Sequence, residues 1–263
     1  MITRFAPAPT GWLHLGHVLN AEYVWGAGAE VMLRIEDHDR ERCRPEFEAG
    51  ILQDLDWLGY RADFPLVRQS ERDAIYHEAV AALASQSLVY GCDCSRKDIE
   101  GRGARREAGV TSELRYAGRC RDRGLALMDG VGWRVRIDSG LEVFVDQRLG
   151  AQAQDPSEQC GDVLIRDRLG NWTYQFVASV DDFRQGIDLV IRGEDLLAST
   201  GRQIRIARLL GRRDPATFLH HPLLMKSPAQ KLSKSDGDTG IRELRARGWT
   251  REQVKAAARS ACR

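Results

Sequence analysis

The sequence predicts an α/β fold assembled from strand–helix–strand units, and three observations carry that prediction. Ile2 to Phe5 reads as a strand that runs through a stiff turn with Pro7, Pro9 and Gly11 into a helix beginning near Gly16. Val18 to Ala29 reads as helix and Val31-Met32-Leu33-Arg34-Ile35 as a largely buried strand, which completes one unit. The second half returns to buried strands: Asp162 to Arg166, then through Gly170-Asn171 to Tyr174 to Asp182, then Ile187 to Ile191. No Gly-x-Gly-x-x-Gly fingerprint is present, which argues against the dinucleotide-binding version of this architecture.

The elements follow in order. The helix that opens near Gly16 offers unpaired N–H groups and a positive dipole, a seat for phosphate. His14 and His17 bracket Gly16 there, and only glycine lets a flat group lie against backbone while two rings flank phosphates. The strand ending at Ile35 runs into Glu36-Asp37-His38-Asp39, where open α/β sheets meet ligands; it is either a salt-bridged strand end or a site for an ammonium group. Pro45 with Phe47, Ile51, Leu55 and Leu58 at helical spacing, then Gly59, describes an amphipathic helix. Ser70 with Asp73 opens another, with Ile75, Ala79 and Leu83 on one face and His77 as a surface or packing histidine.

Cys92 and Cys94 come next, and after an arginine- and glycine-rich stretch, Tyr116 and Cys120. Three thiols within thirty residues either close on a zinc ion or stay free on a hairpin. Trp133, Val135 and Ile137, a turn at Asp138-Ser139-Gly140, then Leu141, Val143 and Val145 give a β-hairpin signal, and Gln152 to Gln159 reads as loop. The strand ending at Ile191 delivers Arg192, which can bind a carboxylate through two parallel N–H bonds or pair structurally with Glu194 or Asp195. Gly201 to Leu210 is helical, and Pro215 to Met225 is strand and loop, with His220 and His221 either bordering a nucleotide or packing. Lys231-Leu232-Ser233-Lys234-Ser235 is a solvated basic loop or a mobile cation for a triphosphate. Thr250 with Gln253 caps a final helix, Arg251 to Ala261.

At 263 residues, 43% hydrophobic and 29% charged, the chain suits a soluble enzyme of one elaborated domain or two small ones. No apolar run approaches the ~18 residues that cross a bilayer, and no export segment opens the chain, so a cytoplasmic protein with no membrane partner is expected. The 39 basic and 38 acidic residues cancel, so only local groups could meet a phosphate backbone: Arg102, Arg105, Arg106, Arg115, Arg119, Arg121 and Arg123, or Arg202, Arg205, Arg208, Arg212 and Arg213. A solvated arginine face is the alternative for both. Six cysteines in a cytosolic chain argue against a disulfide framework.

Arg4-Phe5-Ala6-Pro7-Ala8-Pro9-Thr10-Gly11 followed by His14-Leu15-Gly16-His17 resembles the signature of class I glutamyl-tRNA synthetases and their relatives, whose His-Ile-Gly-His element binds ATP. Lys231 to Ser235 resembles the mobile Lys-Met-Ser-Lys-Ser loop of that class, with Leu for Met. The resemblance implies a class I synthetase-type, Rossmann-like nucleotide-binding fold: first half 1–85, a zinc-bearing insertion 86–160, second half 161–225, and 226–263 with the loop and a short C-terminal helical segment. It places ATP, with Mg²⁺ as counterion, on His14, Gly16, His17, Lys231 and Lys234, and makes Lys234, with His14 and His17, the group that meets the migrating phosphate charge. L-Glutamate falls to Arg4, Phe5, Ala6, Pro7, Ala8, Glu36, Tyr174 and Arg192, of which Arg4 and Arg192 suit an acidic side chain. Ala8 departs from the serine the family often carries there, which shifts that contact toward backbone N–H.

In the shortened paralogues of that family, Cys-x-Cys and Tyr-x-x-x-Cys form a zinc site with tyrosine as a ligand, and Cys92, Cys94, Tyr116 and Cys120 match in order and spacing. A complete synthetase continues into anticodon-binding domains, whereas 28 residues follow Ser235 here. The expectation is therefore a monomer without an anticodon-binding domain that activates glutamate as its adenylate and places it on queuosine in the anticodon of tRNA(Asp). The alternatives are a truncated or split ligase charging tRNA(Glu), a non-catalytic tRNA-binding paralogue, or an adenylate-forming ligase for another small carboxylic acid.

Overall fold

The structure, a computed structural model, describes residues 1–100, 114–227, 230–231 and 240–260. In chain order the elements are β1 (Ile2–Phe5), α1 (Leu15–Gly26), β2 (Glu30–Ile35), α2 (Pro45–Leu58), β3 (Val67–Arg68), α3 (Asp73–Ala84), β4 (Val89–Cys92), α4 (Arg96–Glu100), β5 (Gly132–Val135), β6 (Glu142–Asp146) and β7 (Gly150–Gln154). There follow α5 (Pro156–Gln159), β8 (Val163–Arg166), α6 (Tyr174–Arg184), β9 (Leu189–Gly193), α7 (Thr200–Leu209), β10 (Thr217–His221), β11 (Met225–Ser227), β12 (Gln230–Lys231), α8 (Ile241–Ala246) and α9 (Arg251–Ser260). Two compact units result: Met1–Glu71 with Ile187–Glu194 and Thr217–Arg263, and Arg72–Gly186 with Asp195–Ala216.

In the first unit the strands run β3-β2-β1-β9-β10, all parallel. From β1 the chain winds outward through β2 to β3, and it later re-enters at β9 and winds the other way to β10. The strand order thus reverses between β1 and β9, and open α/β sheets bind ligands at the carboxyl ends of strands at such a point. Phe5, Val18, Leu19, Val24, Val31, Ile35, Leu189 and Ile191 form the core between sheet and helices. The expected α2 starts on Pro45 and stops at Gly59, whose φ of 80° favours glycine. Gly50 sits under the Trp12 ring, where a Cβ would lie 2.3 Å from a ring carbon. At the end of the chain the expected capping box forms: Thr250 Oγ1 accepts from Gln253 N (3.2 Å) and Gln253 Oε1 from Thr250 N (2.8 Å). It starts α9, which buries Val254 and Ala258 and sends Lys255 and Arg259 to Glu22 on α1.

The second unit pairs β4-β5-β8 antiparallel and β6 with β7 as a hairpin, around Tyr76, Leu83, Val135, Ile165, Phe176 and Val180. Four expectations change in detail. Ser70 does not cap α3, which begins at Asp73; its N and Oγ instead bond the Asp37 carboxylate at 2.8 and 2.5 Å within the first unit. The hairpin turns at Asp146 to Gly150, where the Asp146 carboxylate accepts from Arg148 N and Leu149 N, so β6 pairs with the residues read as loop and β5 pairs with β4 and β8. The alternation is also inverted. Glu142, Phe144 and Asp146 face inward while Val143 and Val145 are 59% and 58% exposed, because Arg205 and Arg208 of α7 meet Glu142 and neutralise it. Tyr174 to Asp182 is the helix α6, not a strand; Phe176, Val177 and Val180 recur at helical spacing, and burial on every side hid that period.

The arginines follow the same pattern. Arg205 donates to Asp138 and Gly140 carbonyls, Arg212 to Asp182 and Asp214 carbonyls, Arg121 to Asp162 and Ile137, and Arg115 to Ser157. Backbone or carboxylate acceptors thus hold Arg115, Arg121, Arg205 and Arg212. Arg102, Arg105 and Arg106 lie outside the described residues.

Candidate functional site

The turn between β1 and α1 is built by its own backbone: Thr10 N donates to Ala8 O, Glu36 N to Pro7 O and Arg44 N to Pro9 O. Phe5 closes β1, buried against Trp25, and Ala6 to Ala8 lead from it toward the helix. His14 is the N-cap of α1. Its Nδ1 accepts from Gly16 N at 3.0 Å, and His17 Nδ1 accepts in return from His14 N at 3.1 Å. The two rings stand 3.9 Å apart. Accepting at Nδ1 leaves the neutral ring's proton on Nε2, so each imidazole is set as an Nε2–H donor beside the positive end of a helix. Gly16 is required by this arrangement, since a Cβ there would lie 2.9 Å from His14 Cε1.

Lys231 closes β12, paired to Met225 of β11, while Leu232 to Ser235, with Lys234, lie outside the described residues. The chain re-emerges at Gly240, bridged to His14, and Ile241 N donates to Leu13 O at 2.9 Å. α8, which the sequence did not disclose, is then pinned by Arg242 over Trp12 and by Arg245, which meets Asp54 at 2.9 Å and stacks over Trp57. Gly240 and Ile241, the first described residues after the basic segment, therefore lie on the histidine turn.

At the carboxyl ends of β2, β1 and β9 stand Glu36, Arg4 and Arg192, all buried. Arg4 Nη1 donates to the carbonyl of Ile191, next to Arg192, at 3.2 Å. Glu36 accepts from Arg34 Nη2 at 3.0 Å, the salt-bridged strand end considered from the sequence. Arg192 Nε donates to His220 Nε2 at 3.1 Å. His221 stacks on Tyr23 at 5.0 Å and faces Asn20. Tyr174 opens α6 in the second unit.

In that second unit, Cys92, Cys94 and Cys120 place their sulfurs within 4.8 Å of one another. Tyr116 Oη lies 3.4 Å from Cys92 Sγ and 3.7 Å from Cys94 Sγ, and it accepts from Cys120 N at 3.0 Å. Burial, then the neighbouring thiols, holds the Tyr116 phenol far above its usual range. Against the upward push of burial, hydrogen bonding with Tyr116 and Arg134 holds the Cys92 thiol below its usual value. Arg134 of β5 stands 3.8 Å over the Tyr116 ring and donates to Asp162 O at 2.7 Å. No motif marks Arg134, because its role exists only where β4 and β5 pair Tyr90 with it. Three thiols and one phenol so placed can hold a metal ion.

The family described as tRNA synthetases class I (E and Q), catalytic domain, matches residues 1–260. The chain is 43% identical over 242 residues to the glutamyl-Q tRNA(Asp) synthetase of Bordetella bronchiseptica, covering 90% of this chain and 75% of that protein. It is 37% identical over 274 residues to the protein of that name from Rhodobacter capsulatus, covering 97% and 98%. Among solved structures, a glutamate tRNA ligase from Elizabethkingia meningosepticum, in complex with its amino acid, superposes with a TM-score of 0.74 at 28% identity. That match covers 90% of this chain and 52% of the other, so the chain spans about half the length of that ligase.

Proposed function

The chain belongs to the class I glutamate- and glutamine-type tRNA synthetases, and from that premise we propose that it activates L-glutamate with ATP and transfers the glutamyl group to queuosine in tRNA(Asp). The observation that carries the reading is the pair of buried guanidinium groups, Arg4 and Arg192, at the reversal of strand order beside the histidine-capped helix. Glutamate's α-carboxylate attacks the α-phosphorus of ATP, pyrophosphate leaves, and a nucleoside hydroxyl then takes the acyl group from the adenylate as AMP leaves. No enzyme nucleophile enters, so positioning and charge stabilisation supply the rate.

His14, Gly16 and His17 are assigned to ATP, whose phosphates meet the helix terminus and the Nε2–H donors. Lys231 and Lys234 are assigned to the same nucleotide, Lys234 to the charge that moves onto pyrophosphate. Lys234 precedes Gly240 by six residues, a reach of at most about 21 Å of extended chain from the His14 turn. Mg²⁺ accompanies the triphosphate. Arg4, Glu36 and Arg192 are assigned to glutamate, with Phe5 to Ala8 as the wall of the turn; the part of Tyr174 rests on the resemblance.

Cys92, Cys94, Tyr116 and Cys120 are assigned to a structural zinc ion. Zinc with sulfur at about 2.3 Å and oxygen at about 2.0 Å makes a tetrahedron with edges of about 3.8 Å between sulfurs and about 3.5 Å from sulfur to oxygen. The Cys94–Cys120 separation is 3.6 Å, the edges from Tyr116 Oη to Cys92 and Cys94 are 3.4 and 3.7 Å, and all three sulfurs lie within 4.8 Å of one another. The residues fit the ion. Zinc would hold the phenol as its anion and close the chain between β4 and β5.

The test is transfer of labelled glutamate to tRNA(Asp) with and without queuosine. Labelling that requires queuosine is the expected result; charging of tRNA(Glu), or labelling that ignores queuosine, refutes the reading. Gly16→Ala should raise the KM for ATP about tenfold while leaving Tm within a few degrees. Alanine gains up to about 1 kcal/mol of helix propensity and the displaced His14 cap loses about 1 kcal/mol, so the two roughly cancel in stability but not in binding. Unchanged ATP binding would remove the histidine pair from the nucleotide site.

A further inference from the structure

We infer that His220 is a positioning residue that sets the amino-acid specificity of this enzyme by fixing the plane of the Arg192 guanidinium. The inference rests on the assignment of Arg192 to the substrate carboxylate, and it adds a residue that sequence reasoning placed either at the border of the nucleotide or in packing.

His220 lies in β10 directly beside Arg192 in the parallel register, and it is 0% exposed. Arg192 Nε donates to its Nε2 at 3.1 Å. A donor at Nε requires that Nε2 carry no proton, so the neutral ring holds its proton on Nδ1, the opposite tautomer from that of His14 and His17. Two residues earlier on the same face of β10, Phe218 stacks on the His220 ring at 5.9 Å with planes 8° apart, and its own ring lies 5.6 Å from Arg192 Cζ. The phenyl ring thus holds the imidazole plane, and the imidazole holds the fork.

The consequence is directional. The five N–H bonds of a guanidinium lie in one plane, so an acceptor on Nε fixes the plane in which a carboxylate can be taken bidentately. Without that acceptor Nε no longer anchors the plane of the fork, and the bidentate geometry weakens. The preference for an acidic side chain over its amide, which depends on two parallel charged bonds, falls with it.

The readout is ATP–pyrophosphate exchange with the full chain. His220→Leu is expected to raise the KM for glutamate about ten- to hundredfold, the range of one lost hydrogen bond to a charged group, with kcat and the KM for ATP within twofold. His220→Gln, which restores a carbonyl acceptor, is expected to recover the glutamate KM to within about threefold of the parent. Parent-like glutamate KM in His220→Leu, beside a large loss in Arg192→Leu, overturns the inference and leaves the Arg192 assignment standing; parent-like KM in both overturns the assignment as well. A measurement on the unaltered protein guards against a variant that does not fold. The nitrogen-15 spectrum of the His220 ring should show the Nδ1–H tautomer, and a proton found on Nε2 overturns the inference outright.

Discussion

Arg192→Leu should lower glutamate-dependent ATP–pyrophosphate exchange by about two to four orders of magnitude while leaving the fold in place. The group lost is a buried cation, 4% exposed, on the strand that lies across the reversal from β1. Removing one partner from a buried, hydrogen-bonded charge pair costs about 3–5 kcal/mol, and each 1.4 kcal/mol is about a factor of ten. The loss should fall mainly on the glutamate KM, since the interaction is made in the ground state as well as in the transition state. Arg192→Lys should recover little, because a point charge on a flexible stem cannot present two parallel donors in the plane set by His220. Arg4→Leu should change exchange in the same direction, since its guanidinium is also buried and held by one donor, on the Ile191 carbonyl, as that of Arg192 is held on His220. Exchange within threefold of the parent in Arg192→Leu, with unchanged circular dichroism, would remove the carboxylate site from the end of β9.

The second large effect concerns the metal. The purified protein should carry about one zinc ion per chain, and its removal by a chelator should lower Tm and abolish transfer to tRNA. Structural zinc sites contribute about 10–16 kcal/mol of apparent binding free energy in small peptides, and here Cys92, Tyr116 and Cys120 form with Tyr90 a small cluster of their own, against which Cys94, Ile99 and Leu125 pack. The effect should stay local, because Tyr76, Val135, Ile165, Phe176 and Val180 make a separate core in the same unit. Cys120→Ala should lose zinc. Tyr116→Phe should keep three thiolates and bind zinc more weakly, and it should lose a phenolate absorption that appears in the parent on adding the metal. Affinity should decline as pH falls, since thiolates and phenolate must shed protons to bind. A protein free of zinc with unchanged stability would return these residues to the status of buried thiols.

How far the chain could be read in advance differs from element to element. Pro45 and Gly59 mark α2 because each acts through its own backbone, by a fixed φ at the start and a positive φ at the end. Thr250 with Gln253 is equally local. The hairpin is the contrary case: Leu141, Val143 and Val145 alternate as an inward face should, yet they point outward, since the inward Glu142 finds Arg205 and Arg208 more than sixty residues away. α6 hid its period through burial on all sides, and Ser70 was taken from its helix by Asp37.

The amino-acid order alone determined the short-range chemistry of this protein: a helix opening near Gly16 between two histidines, a strand running into Arg192, and three thiols close enough in the chain to share an ion, to which the family resemblance added the Tyr116 phenol. Only the folded chain decided the partners of those groups. Arg192 meets His220 because β9 and β10 pair in parallel, Arg134 covers Tyr116 because β5 pairs with β4, and Gly240 returns to His14 through a backbone bridge. The reason is that propensity and spacing act over a few residues, whereas strand register and burial bring together groups whose separation along the chain carries no signal of their contact.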